Sequence, residues 1–153
     1  MRDALDTLTR LLREMPARLG AIPDEDASRA PEGRWSAKQI IGHLIDSAGN
    51  NHQRWVRALS GPVLEFPKYD QDLWVATQRY ADERWPDLVD LWLLYNRHLL
   101  HIASNIPPEK LQTVCIIGDN PPATLESLVA GYTAHLKHHL GQILARELAV
   151  PAA

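Results

Sequence analysis

At 153 residues, 45% of them hydrophobic and 23% charged, the chain is long enough for one domain with a real core, and disorder is excluded for most of its length. A net charge of −3 with histidine neutral, and no Lys/Arg cluster, argues against a nucleic-acid partner. The single cysteine, Cys115, allows no intrachain disulfide, and no segment reaches signal-peptide or membrane-span length, so a soluble cytoplasmic protein with no membrane partner is expected.

In chain order, a first helix is expected over about Arg2 to Leu19, with Leu5, Leu8, Leu11, Leu12 and Met15 as its apolar face. Residues 23–34 are polar and read as a loop. A second helix starts at Ser36, where Gln39 three residues on completes a capping-box signature, and runs to about Ser60 before Gly61-Pro62. The stretch from Phe66 to Arg84 is irregular, with a short helix near Gln71 to Gln78. A third helix has Pro86 in its first turn and ends near Asn105, before Pro107-Pro108. Val114 to Ile117 is a short extended piece, too isolated to found a sheet. A fourth helix follows Pro121-Pro122, capped by Thr124, and continues to about Leu148. Four long helices without competing strands predict an all-α fold: a single four-helix-bundle domain over 1–153, with a short extra helix in the second connection.

The histidines carry the chemistry. His135 and His139 are spaced i, i+4, so they share a face of the fourth helix, and two imidazoles one turn apart can hold one metal ion. At 100° per residue His139 falls inside the apolar arc and His135 at its edge, whereas His138 lies outside and reads as a neighbour. Gln142 continues the His135/His139 side and is placed to orient a ligand or touch substrate. Leu136 follows His135, so the H-E-x-x-H signature and its built-in base are absent.

His43, in the second helix, points away from the apolar stripe with Gln39, Asp46, Ser47, Asn50 and Arg54. That strip is either a solvated face or the wall of a polar cleft. His98 and His101 lie outside the core stripe of the third helix and read as surface or subunit-contact residues. Asn96 falls inside that stripe and needs a polar partner if buried. Cys115 reads as a small buried hydrophobe.

Two segments, Trp35-Ser36-Ala37-Lys38-Gln39-Ile40-Ile41-Gly42-His43-Leu44 and His135-Leu136-Lys137-His138-His139-Leu140-Gly141-Gln142-Ile143, resemble the DinB/YfiT-like superfamily of metal-dependent four-helix proteins. The first is similar to its W-[ST]-x-x-[EQ]-[IV]-x-x-H-L helix start and the second to its H-x-x-H-H-x-x-Q-I ending. The resemblance implies a three-histidine site of His43, His135 and His139, and a cleft on the polar strip of the second helix. It also implies one divalent ion, zinc or nickel, and a homodimer; Leu91 and Leu94, apolar outside the third-helix stripe, add independent support for the dimer. Some members of the family are transferases that use mycothiol, bacillithiol or glutathione.

The expected chemistry is therefore thiol-dependent transfer to a small electrophile, with a low-molecular-weight thiol as co-substrate. The alternatives are hydrolysis of a small amide or ester, and a non-catalytic metal-binding bundle. Asp46 and Asn50, one and two turns after His43, are the expected catalytic groups. Tyr69, Asp70 and Trp74, with Asn96 and Gln142, are the expected substrate contacts.

Overall fold

The computed structural model describes residues 1–147. Four long helices, α1 (Arg2–Gly20), α3 (Ala37–Ala58), α5 (Trp85–Ser104) and α6 (Leu125–Glu147), form the bundle. The expected fourth-helix end at Leu148 lies outside the described residues. The extra helix in the second connection is α4 (Gln71–Gln78), capped by the Asp70 carboxylate, which accepts from the Leu73 amide at 3.0 Å.

The start of α3 follows from its sequence. Ser36 Oγ accepts from the Gln39 amide, and Gln39 Oε1 accepts from the Ser36 amide at 2.8 Å, so both members of the capping box are made. At α6, Thr124 Oγ1 accepts from the Ser127 amide at 3.1 Å.

The packing order is not the chain order. Helix α3 packs against α5 and α6, and α1 packs against the same two, so α1 and α3 face each other across the diagonal. The apolar stripes meet in one core containing Leu8, Leu12, Ile41, Leu44, Trp92 and Leu136. A second cluster gathers Trp55, Leu99, Cys115, Leu125 and Val129 at one end. The consequence for chemistry is that α3 and α6, far apart in sequence, lie side by side.

Two segments depart from the sequence expectation. Residues 24–28, read as loop, form a short helix, α2 (Asp24–Ser28). Asp24 there takes a 2.9 Å bond from Lys38 Nζ and a 2.8 Å bond from the Trp85 amide, so long-range contacts fix it. The extended piece β2 (Val114–Ile117) is not isolated. It pairs in parallel with β1 (Val63–Phe66), Leu64 opposite Cys115, and antiparallel with β3 (Ala123–Thr124). A parallel partner lies a long crossover away and leaves no local signature. The small sheet buries Leu64, Cys115 and Ile117 against the bundle end.

No helix among the described residues is long and apolar enough to cross a membrane. Leu91 and Leu94 are exposed on α5, at 48% and 61%.

Candidate metal centre

His43 is buried, and so is nearly all of α3 around it: Asp46, Ser47, Asn50 and Asn51 are each under 10% exposed. The polar strip is thus not a solvated face. The apolar side of the helix meets the bundle core, and the polar side is covered by α4 and the turn of 3-10 helix that follows it. Gln78 Nε2 and Tyr80 Oη each donate to Asp46 Oδ1 at 2.7 Å, clamping this cover to the helix. Gly42 makes the approach possible: a Cβ there would lie 2.1 Å from the Tyr80 ring.

From the same helix, His43 meets two imidazoles of α6. His43 Nε2 and His135 Nε2 are 3.0 Å apart. One ring nitrogen from each of His43, His135 and His139 lies within 4.8 Å of the other two. Three nitrogens bound tetrahedrally to one zinc ion at about 2.0–2.1 Å stand about 3.3 Å apart. The donor set therefore fits a divalent ion with small rotations of the rings.

The protonation states fit as well. Burial, then the neighbouring His135 and His139, pulls His43 down to about 4. Burial, then His139 and His138, does the same to His135. His139 is lowered by burial and by His138, against a raising hydrogen bond from Gln142. All three rings are neutral near pH 7, with lone pairs available for a cation.

Gln142 bridges His139 and His138, and its amide orientation assigns the tautomer of His139. Its Oε1 lies 2.9 Å from His139 Nδ1, which must donate to it, leaving Nε2 unprotonated. Its Nε2 lies 2.9 Å from His138 Nε2 and donates to that ring. His138 is thereby engaged outside the three-nitrogen cluster. His98 and His101 also stand apart: both are exposed on α5, stacked on each other at 6.5 Å, with His98 against His52.

The other expected site residues divide. Tyr69 borders a cavity of about 310 Å3 that opens beside His43 and His135. Trp74 packs on Tyr69, ring centroids 4.8 Å apart, and is 40% exposed. Gln142 borders a wider opening of about 950 Å3 on the His139 side. Asp46 and Asn50 do not line either space. Asp46 holds the cover, with burial raising its pKa, and Asn50 donates to the Asp46 carbonyl at 3.0 Å. Asp70 is occupied as the cap of α4. Asn96 is fully buried: it donates to the Trp92 carbonyl at 2.8 Å and accepts from the Tyr132 hydroxyl, so its partner is structural.

The cavity instead takes Ser47, Asn51 and Arg54 from α3. Counted from His43 these are i+4, i+8 and i+11, one continuous ridge of the helix. That spacing was present in the sequence, but the i+3 and i+7 positions, Asp46 and Asn50, stood out there for their chemistry.

Comparison with known proteins follows the same lines. The model of the DinB superfamily matches residues 7–143. The chain is similar to a protein of Oceanobacillus iheyensis provisionally named a metal-dependent hydrolase, 27% identical over 142 residues, covering 91% of this chain and 79% of that one. It is similar to a Halalkalibacterium halodurans protein of the same provisional name, 29% identical over 116 residues, covering 73% of this chain and 65% of the other. In structure it resembles YfiT of Bacillus subtilis at a TM-score of 0.80 and 21% identity, over 97% of this chain and 90% of YfiT, a likeness of fold. YfiT is described as having an unusual four-helix-bundle topology.

Proposed function

The chain belongs to the DinB superfamily, and from that membership and its three converging imidazoles we propose that it is a metal-dependent hydrolase of a small amide or ester. The observation that carries the reading is the meeting of His43, His135 and His139 beside a cavity of small-molecule size. The provisional name of its curated relatives supports hydrolysis over the thiol transfer expected from sequence. Nothing in the site itself favours a thiol co-substrate, and Cys115 is buried at the far sheet, its thiol pushed up by burial.

The proposed ion is zinc or nickel, both suited to three imidazoles. A divalent ion held by these three rings would supply Lewis acidity for carbonyl polarisation and water activation. The residues of the chain do the rest. His43, His135 and His139 present neutral rings, and Gln142 fixes the tautomer of His139. Ser47, Asn51 and Tyr69 offer hydrogen bonds to a substrate in the cavity. Asp46 acts as a positioning residue, holding Gln78 and Tyr80 over α3 and keeping water from the buried side of the ligand cluster.

The test is turnover of a panel of small amides and esters by protein loaded with zinc or nickel, with and without added glutathione. Hydrolysis without thiol, lost on chelation and restored by metal, is expected. Turnover only with thiol assigns transfer instead. Activity surviving complete metal removal rejects both, and metal binding without any turnover leaves a binding bundle.

A further inference from the structure

Among the described residues, Arg54 is the one arginine that is not exposed. Arg13, Arg29, Arg79 and Arg84 sit at the surface, each paired with a carboxylate. Arg54 is half-buried on α3, and among the described residues no carboxylate pairs with it. Its Nε is buried without a hydrogen-bond partner. The guanidinium carbon lies 5.4 Å from the Phe66 ring centroid, within cation–π range. Burial draws its pKa down.

A half-buried cation with no counter-charge is costly, and a ligand that supplies the charge recovers that cost. Arg54 borders the same cavity as His43 and His135, and among the described residues no carboxylate lines it. Arg54 stands eleven residues beyond His43 on one ridge of α3, about 16 Å along the axis. The ends of the cavity are thus chemically distinct: metal ligands at one, a guanidinium at the other, and neutral Ser47, Asn51 and Tyr69 between.

We propose that the cavity takes an elongated small molecule carrying a carboxylate, gripped by Arg54 while its reacting group lies at the histidine cluster. One guanidinium balances a single negative charge, which favours a carboxylate over a phosphate dianion. This deepens the hydrolase reading and rests on it for the far end of the molecule.

The test uses hydroxamates, which bind site metal through one end. Zinc-loaded protein is titrated calorimetrically with monohydroxamates of dicarboxylic acids from succinyl to suberyl, and with uncharged alkyl hydroxamates of equal length. At least one carboxylate-bearing member is expected to bind roughly 10- to 100-fold tighter than its uncharged counterpart. Arg54→Gln is expected to erase the difference with zinc content unchanged, and Arg54→Lys, which keeps charge but loses the fork, to retain part of it. No preference at any length in the wild type, or a preference undiminished in Arg54→Gln, overturns the proposal. If no hydroxamate binds at all, the metal reading fails, and glutarate with metal-free protein decides the anion site separately. Arg54-dependent NMR shifts of the Tyr69 resonances then support it, and their absence overturns it.

Discussion

His43 Nε2 and His135 Nε2 lie 3.0 Å apart across 92 residues of chain. Two ring nitrogens this close share a proton in a neutral N–H···N hydrogen bond when no ion is bound, and a divalent ion would replace that proton. His43→Ala and His135→Ala are expected to lose metal to a similar degree. Dividing the roughly 10–16 kcal/mol of a bound structural zinc among its ligands, each loss is on the order of a hundredfold or more in affinity. His138→Ala, whose ring already accepts from Gln142, should stay nearly fully loaded. Elemental analysis after dialysis checks all three, and full occupancy in His43→Ala would exclude an α3 ligand.

Acid should weaken the metal-free protein through the same rings. Folded His43 and His135 titrate at about 4, against 6.5 for the ordinary side chain. Between those values the unfolded chain binds more protons than the folded one, so stability rises with pH across this window. The histidine contribution is complete above about 6.5 and is lost progressively as pH falls toward about 4. Thermal melts of metal-free protein from pH 7 to pH 4 should show a falling midpoint. His135→Gln should flatten that dependence; an unchanged slope would show that these rings are not what titrates.

The elements were legible where their signals are local. The Ser36–Gln39 box, Pro86, Thr124 and the i, i+4 pair on α6 all mark what the structure contains. His43 was not legible from periodicity. A helical wheel shows which face is polar, but what covers that face is decided by residues 71–82, arriving from a different part of the chain. Only the resemblance of Trp35 to Leu44 to a known motif placed His43 among the ligands. The pairing of β1 with β2 escaped for a related reason, since each strand is only four residues long and its partner lies about fifty residues away.

Gln142 should tune the metal without holding it. Its carbonyl fixes His139 with the Nδ1 proton outward and the other nitrogen free, and removing such a partner typically costs about 10- to 100-fold in metal affinity. Gln142→Leu is expected to fall in that range while folding normally, because the residue is exposed. Competition with a chromophoric chelator measures it. Affinity equal to wild type would mean that packing alone sets the ring.

Gly42 gives a prediction whose sign depends on another residue. In an open helix interior, Gly→Ala is worth roughly 0.5–1 kcal/mol of stabilisation. Here the new Cβ would lie 2.1 Å from Cδ2 of Tyr80, a ring only 4% exposed and tied through its hydroxyl to Asp46. The ring cannot swing aside without giving up that bond, so overpacking of about 1–3 kcal/mol should outweigh the helix gain. Gly42→Ala is thus expected to destabilise the protein in denaturant melts. In a Tyr80→Ala background the obstacle is gone, and the same substitution should become neutral or stabilising by up to about 1 kcal/mol. A loss of equal size in both backgrounds would show that Tyr80 does not need the glycine, and that the cover over His43 is held some other way.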